Sequence, residues 1–124
     1  MRAWISAAQG HWARFGFNWW AAIEPGTDEL VGVVSTQHIE NDEAKPIEIG
    51  WRLRPEHWGK GYATEAGQAM LRFAFNELRV PEVYAVANPQ NHASIRVMER
   101  LGMRNVGLQW FYGKTCATYV KTRD

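Results

Sequence analysis

Two glycines, Gly59 and Gly61, stand between a strand-like segment and a helix-like segment. A glycine-containing turn in front of a helix lets successive backbone N–H groups point at one spot, because no side chain blocks the approach of a ligand. The N-terminus of the helix adds about half a positive charge at the same spot. The segment 47–70 therefore predicts an anion-binding site, usually one for phosphate.

Two common phosphate-binding motifs do not fit this turn. The Walker loop requires Ser or Thr after its Lys, whereas Lys60 is followed by Gly61. The dinucleotide fingerprint needs a small residue three positions after its second glycine. That position holds Thr64, and the hairpins predicted upstream are wrong for that fold. A third motif, the loop that binds the pyrophosphate of acetyl-CoA, fits both the turn and its surroundings.

Hydrophobic spacing and breaker residues predict the elements that position this turn. Apolar residues at helical spacing over 2–14, ending before Gly16, predict an opening helix. Hairpins combined with helical crossovers imply an α/β (α+β) fold with helices packed on a mixed sheet. The predicted elements are a helix over 2–14, strands over 17–23, 29–39 and 47–53, a helix over 61–78, a strand over 82–87, a helix over 92–101, and strands over 103–111 and 116–122.

Composition narrows the class of protein. The chain has 124 residues, of which 46% are hydrophobic and 22% charged, which is typical of one globular domain over 1–124. A net charge of +1 gives no general reason to bind nucleic acid or a membrane surface. The single cysteine, Cys116, suits a reducing cytoplasm. We also expect no signal peptide, no membrane span and no metal site, because the sequence has no long apolar run and no ligand spacing among its histidines.

Two segments resemble a known family. Residues 49–66, IGWRLRPEHWGKGYATEA, and residues 88–103, NPQNHASIRVMERLGM, are similar to the core of the GCN5-related N-acetyltransferase (GNAT) superfamily, in the branch that contains ribosomal-protein-alanine N-acetyltransferases. Two motifs at the right separation are more specific than the glycines alone. The resemblance implies a mixed, mostly antiparallel sheet flanked by helices, in the order α-β-β-β-α-β-α-β-β, with acetyl-CoA as co-substrate.

The resemblance also implies which residues bind CoA. In the family the loop amides hold the pyrophosphate, and pantetheine lies in a gap where the third strand splays away from the next one. Asn91 resembles the family Asn that reaches the pantetheine arm, and it is also a typical helix N-cap. Glu56 departs from the Gln or Arg of the family, and we expect it to face solvent. The implied CoA-binding residues are Trp51, Arg52, Leu53, Trp58, Gly59, Lys60, Gly61, Tyr62, Ala63 and Asn91.

The catalytic residues are less directly implied. Met98 stands where many family members have the Tyr that protonates the departing thiolate, and Met cannot donate a proton. Ser94 is the predicted substitute, with water as the alternative. Glu48, on the third predicted strand, is the predicted general base for the attacking amine. His38 is the second candidate, and a solvated strand acid is the ordinary alternative for Glu48.

Two further sets of side chains allow two interpretations. Arg96 and Arg100 lie one helical turn apart, and they either reach the CoA phosphates or form a solvated basic face. Four aromatic residues either line the acceptor site or fill the core: Trp19, Trp20, Trp110 and Tyr112.

Three functions compete. The leading hypothesis is an acetyl-CoA-dependent N-acetyltransferase in which a primary amine, either a protein N-terminus or a small amine, attacks the thioester directly. The alternatives are a non-catalytic acyl-CoA-binding protein and a structural or assembly module with a vestigial pocket. The family usually begins with a strand and a helix ahead of the first helix predicted here. We therefore expect a weakened acceptor half of the site, and a homodimer in which a second copy covers the edge of the 17–23 strand.

Overall fold

A computed structural model describes residues 4–6, 11–15, 19–23, 29–55, 58–59 and 61–123. The regular elements in these ranges are eight strands, two α-helices and a 3-10 turn over Ile39–Asn41. They are β1 (Trp4–Ser6), β2 (His11–Phe15), β3 (Trp19–Ile23), β4 (Leu30–His38), β5 (Ile47–Leu53), α1 (Tyr62–Asn76), β6 (Glu82–Ala87), α2 (His92–Arg100), β7 (Arg104–Phe111) and β8 (Lys114–Thr122).

The described strands form one sheet in the order β1-β2-β3-β4-β5-β6-β8-β7. All neighbours are antiparallel except β5 and β6, which run parallel because α1 crosses over between them. The mixed, mostly antiparallel sheet with packed helices confirms the predicted fold class.

The opening helix predicted over 2–14 is wrong. The described residues there form β1 and β2, which pair with each other, and β2 in turn pairs with β3. Helical spacing was a weak guide because Trp, Ile and Phe also suit strands. In addition, β3 offers a row of backbone N–H and C=O groups that a neighbouring strand can satisfy. The element order therefore begins with two strands, and Gly16 lies outside the described residues.

This pairing also changes the argument for a homodimer. The sequence predicts an uncovered edge at the 17–23 strand, which corresponds to β3. In the structure β2 occupies that edge, since it pairs with β3 from His11↔Ile23 to Phe15↔Trp19. The outermost strands of the described sheet are instead β1 and β7. The homodimer stays a prediction, but an uncovered edge at β3 can no longer be the reason for it.

The later elements lie where the sequence predicted them. The bounds of β5 and β6 agree with the predicted 47–53 and 82–87. The long helix is slightly shorter than predicted, with α1 spanning Tyr62–Asn76, and β8 begins at Lys114 rather than at 116.

The core lies between α1 and the central strands. Met70 and Ala74 of α1 are fully buried, together with Val34 of β4 and Ile49 of β5. Trp20 is 2% exposed, so of its two interpretations the core residue is confirmed. Its ring meets that of Phe73 edge-on, with the centroids 5.3 Å apart.

Candidate active site

A gap opens where β5 leaves β6. The two parallel strands are in register at a single pair, Glu48↔Tyr84, whereas β5 stays paired with β4 along its whole length, as far as Leu53↔Gly32. Next to this gap lies a cavity of about 720 Å³, lined by the end of β5, the following loop, the first turn of α1, the end of β6 and one side of α2. Every predicted CoA-binding residue that the structure describes lines this cavity; Lys60 lies outside the described residues.

The loop between β5 and α1 depends on its two glycines. Gly59 and Gly61 have φ angles of +74° and +83°, in the left-handed region that L side chains disfavour. The indole Nε1–H of Trp58 donates to the carbonyl oxygen of Leu53 at 3.0 Å. The backbone N–H of Trp58 donates to the carbonyl oxygen of Pro55 at 3.1 Å. The exposed tryptophan thus ties the loop to the end of β5.

The N-terminus of α1 faces the cavity. Its N-cap residue, Gly61, offers no side chain to cap the first turn. The residues of that turn, Tyr62, Ala63 and Thr64, all line the cavity. The positive end of the helix dipole therefore lies at the cavity wall, which favours an anionic group there.

Two arginines of α2 add positive charge to the same cavity. Arg96 and Arg100 both line it and both are exposed. Neither forms an ion pair within the described part of the chain, where the ion pairs are Lys45–Glu40 and Arg54–Glu29. The structure therefore places both arginines at the cavity with their side chains exposed to solvent.

The first turn of α2 presents Asn91 and Ser94 to the cavity. Asn91 is the N-cap, because its Oδ1 accepts the backbone N–H of Ser94 at 3.1 Å. Ser94 is half-buried in the cavity wall, whereas Met98 is 1% exposed and belongs to the core. The position at which the family often has Tyr is therefore buried here.

Several residues that line the cavity are not predicted to do so by the sequence. They include Thr64, which does not fit the dinucleotide fingerprint, and Ala93. Helical spacing from Ala93 through Val97 to Arg100 is a signal that could have found the α2 wall. Val86 and Ala87 line the cavity because β6 ends there, a placement that depends on sheet pairing.

Glu48 lies at the point where β5 and β6 separate. It does not line the cavity and is 7% exposed, so the solvated strand acid is excluded as an interpretation. Burial raises the pKa of Glu48 from 4.5 to about 7. The hydrogen bond with Gln37 opposes this rise in pKa, and the negative charge of Glu40 adds to it. A carboxyl group with a pKa near neutrality is well suited to take up a proton at neutral pH.

Tyr112 and Glu40 form a small network around Glu48. The hydroxyl of Tyr112 donates to Oε1 of Glu48. The backbone N–H of Glu40 donates to the same hydroxyl at 3.0 Å, and the backbone N–H of Tyr112 donates to Oε2 of Glu40 at 2.7 Å. Lys45 pairs with the other oxygen of Glu40, and this hydrogen bond raises the pKa of Lys45.

Three candidates from the sequence remain to be placed: His38, Trp110 and Trp19. The Nδ1–H of His38 donates to the carbonyl oxygen of Lys45 at 2.7 Å, so that nitrogen is not free to accept a proton. Trp110 is 70% exposed, and therefore it is not a core residue. The side chain of Trp19 lies outside the described residues.

The fold and this cavity are those of an acetyltransferase-like domain, and the comparison with known proteins gives the same class. Residues 1–104 match the family model of the acetyltransferase (GNAT) domain, and the chain belongs to the GNAT family. A crystal structure of a GNAT-family acetyltransferase from Bacillus anthracis is similar, with a TM-score of 0.72 and 31% identity, over 85% of this chain and 66% of that one.

Two curated relatives are similar in sequence. YkkB of Bacillus subtilis, an uncharacterised protein, is 38% identical over 104 residues, which cover 82% of this chain and 59% of YkkB. The FsC-acetyl coenzyme A-N(2)-transacetylase of Aspergillus fumigatus is 32% identical over 111 residues, which cover 90% of this chain and 41% of that protein. The chain thus spans about half the length of these relatives.

Neither α-helix in the described ranges is long and apolar enough to cross a membrane. Among the same residues, no three His, Cys, Asp or Glu side chains are grouped so that they could hold a metal ion.

Proposed function

We propose that this chain carries an active site that transfers the acetyl group of acetyl-CoA to a primary amine. The observation that carries the proposal is the cavity beside the β5–β6 gap, where the glycine loop, the positive end of α1 and the basic side of α2 meet. Membership of the GNAT family supports acetyl-CoA as the acetyl donor. So does the name of the Aspergillus fumigatus relative, an acetyl coenzyme A-N(2)-transacetylase.

In this proposal, the loop from Trp58 to Ala63, which includes Lys60, binds the CoA pyrophosphate. Backbone N–H groups of the loop and the dipole of α1 supply the attraction, so the side chains of the loop matter less than its conformation. Arg96 and Arg100 neutralise further phosphate charge from the side of α2. Their exposure suits a charge-neutralising role at the cavity mouth.

The pantetheine arm lies in the gap, along Trp51, Arg52 and Leu53. Because β5 has no register with β6 beyond Glu48, backbone groups on that side of β5 are available to the amides of the arm. An N–H of the same stretch stabilises the oxyanion of the tetrahedral intermediate. Asn91 contacts the arm from the start of α2.

The reaction requires the amine to lose a proton before it attacks. Glu48 accepts the proton, and the amine nitrogen then forms a bond to the acetyl carbon. The nitrogen of the tetrahedral intermediate gives its second proton to solvent, the intermediate collapses with cleavage of the C–S bond, and CoA leaves as a thiolate. Ser94 protonates the thiolate and regains its own proton from solvent, with water as the alternative donor. Glu48 and Ser94 are the proposed catalytic residues.

Further parts of the proposal concern the whole protein. We propose a single domain that acts in the cytoplasm as a homodimer, without a metal ion, nucleic acid or membrane partner. The net charge of +1 supports the absence of polyanionic partners, and the lone, buried Cys116 suits a reducing compartment. The exposed apolar residues of the outer strand β7, Leu108 and Trp110, support pairing of two copies.

Two measurements test the proposal. Calorimetric titration with CoA is expected to show binding, and incubation of acetyl-CoA with a library of amines is expected to release the CoA thiol. Binding without amine-dependent thiol release would favour the non-catalytic acyl-CoA-binding protein. Absence of binding at millimolar CoA would overturn both the acetyltransferase and the acyl-CoA-binding protein, and the structural module would be the remaining hypothesis. The acceptor, a protein N-terminus or a small amine, is identified by the amine that gives the fastest release.

A further inference from the structure

We infer that Tyr112, at the tip of the β7–β8 hairpin, is a positioning residue that holds the Glu48 carboxyl group at the point where β5 and β6 separate. The inference rests on the proposed function, in which Glu48 accepts the proton of the amine. Tyr112 contacts the proposed base and does not line the CoA cavity. It therefore acts on the reaction through Glu48.

The hairpin brings Tyr112 to Glu48 from a distant part of the chain. Tyr112 occupies the two-residue turn between Phe111 and Lys114, with φ of +56°, a conformation that is uncommon for a residue other than glycine. Its hydroxyl reaches a carboxyl group 64 positions away in the sequence. A contact of this separation exists only because β7 and β8 are positioned by the sheet.

Glu40 orients the tyrosine through two hydrogen bonds. The Glu40 N–H donates to the Tyr112 hydroxyl oxygen at 3.0 Å, and Oε2 of Glu40 accepts the Tyr112 N–H at 2.7 Å. Lys45 holds the other oxygen of the Glu40 carboxylate. Because the tyrosine oxygen accepts from Glu40, its own proton is directed to Glu48.

A role limited to packing does not account for this arrangement. Tyr112 is 41% exposed, so its ring contributes little to the buried core. Its hydroxyl donates to the carboxyl group of Glu48, and its backbone N–H donates to the carboxylate of Glu40. Within the described part of the chain, the groups that face Glu48 are Gln37 of β4, Glu40 of the following turn, Tyr84 of β6 and Tyr112 of the hairpin, whereas Lys45 pairs with Glu40.

These neighbours act on the pKa of Glu48 in different directions. A hydroxyl that donates to a carboxylate stabilises its charged form, so we expect the Tyr112 hydrogen bond to lower the pKa of Glu48. The negative charge of Glu40 raises that pKa. Removal of the Tyr112 hydroxyl and removal of the Glu40 charge should therefore shift the pKa in opposite directions.

The pKa of Glu48 can be measured without knowledge of the acceptor. The full chain is labelled with isotopic glutamate, and the carboxyl signals are titrated by NMR, with Glu48 assigned by its loss in Glu48→Gln. We expect a wild-type midpoint near 7. Tyr112→Phe, which keeps the ring, should raise the midpoint by about one pH unit. Glu40→Gln, which keeps an acceptor for the Tyr112 N–H, should lower it.

Tyr84→Phe is the matched control. It removes a hydroxyl from the residue in register with Glu48, but that hydroxyl makes no described hydrogen bond to Glu48. We expect its midpoint to stay at the wild-type value. If Tyr112→Phe also leaves the midpoint unmoved, or lowers it, the inference is overturned. If Tyr112→Phe does not fold, the Cζ signal of Tyr112 in the wild-type protein is followed by NMR instead, and a signal that does not move as Glu48 titrates overturns the inference.

The same variants separate this inference from the proposed function. Wild-type turnover of the best amine by Glu48→Gln would show that Glu48 is not the base, and the positioning role would fall with it. If Glu48→Gln loses turnover but Tyr112→Phe leaves the Glu48 midpoint unchanged, Glu48 remains the proposed base and only the positioning role of Tyr112 is overturned.

Discussion

Burial gives Glu48 properties that an exposed glutamate on a strand does not have. Glu48 is 7% exposed, and its pKa of about 7 lies well above the ordinary value of 4.5. Neutral and charged forms therefore coexist near pH 7, which is the condition under which proton transfer in either direction is efficient. The residue type alone could not indicate this, because most strand glutamates are solvated.

Glu48→Gln should lower amine-dependent thiol release by about 100-fold, since the amide cannot take up the proton of the amine. The CoA affinity should stay unchanged, because Glu48 does not line the cavity. Thiol release and calorimetry measure the two effects. A variant with weakened CoA binding and unchanged turnover at saturating acetyl-CoA would contradict the assignment.

The raised pKa of Glu48 also predicts how stability depends on pH. The folded protein binds this proton more tightly than the unfolded chain, so the stabilisation is present in full below pH 4.5 and is lost as the pH rises through about 7. Glu48→Gln lacks this titration. Urea unfolding should therefore show that wild type loses free energy of unfolding between pH 5 and 8 relative to Glu48→Gln. A difference that is constant with pH would contradict the prediction.

Ser94 offers a side-chain hydroxyl of α2 at the cavity, and Met98 lies in the core. Ser94→Ala should lower turnover by about tenfold, a small effect for a general acid because water can partly replace it. CoA affinity should change little, since the bond between Asn91 and position 94 uses the backbone N–H. Ser94→Thr, which keeps the hydroxyl, serves as the control. Unchanged turnover in Ser94→Ala would assign the proton to water.

Among the elements, the loop between β5 and α1 acts through its backbone conformation. Positive φ angles at Gly59 and Gly61 direct the chain so that α1 begins at the cavity wall. The signal for this loop lies within a short stretch of sequence, and for that reason it could be predicted. The opening segment has no comparable local signal, because its aromatic residues suit a helix or a strand and the neighbouring β3 decides between them.

Gly61→Glu should abolish CoA binding, because it places a carboxylate at the anion-favouring end of α1 and strains a residue with φ of +83°. Gly107→Glu is the matched control. It adds the same charge at φ of +96°, in open space on β7 and away from the cavity. Calorimetric titration with CoA should show loss of binding only in Gly61→Glu. Normal affinity in that variant would contradict the position of the pyrophosphate site.

At the scale of the whole molecule, the sheet leaves β7 as an outer strand. Leu108 and Trp110 stand two positions apart on it and are 64% and 70% exposed. Two apolar side chains on one face of an edge strand favour association of two copies. We therefore propose β7 as the contact of the expected homodimer, in place of the edge of β3, which is paired with β2.

Light scattering at micromolar concentration should give a mass near twice that of the 14.2 kDa chain. Trp110→Lys should give a monomer, because a charge on the edge strand opposes pairing. Its CoA affinity should equal that of wild type, since Trp110 does not line the cavity. A monomeric wild-type protein would contradict the homodimer.

The amino-acid sequence by itself determined the features whose causes are local. The conformation of the two glycines, the N-cap Asn91, the bounds of β5 and β6 and the turn from β5 into α1 all depend on residues close together in the chain. Their backbone angles and caps leave few alternatives, so pattern and resemblance were sufficient.

Only the tertiary structure decided the features that depend on distant partners. The pairing of β2 with β3 replaced the predicted opening helix, and the burial of Glu48 shifted its pKa. The contact of Tyr112 with Glu40 joins residues 72 positions apart. Each of these depends on which strands become neighbours, and that choice is made by the free energy of the whole sheet and core rather than by any single segment.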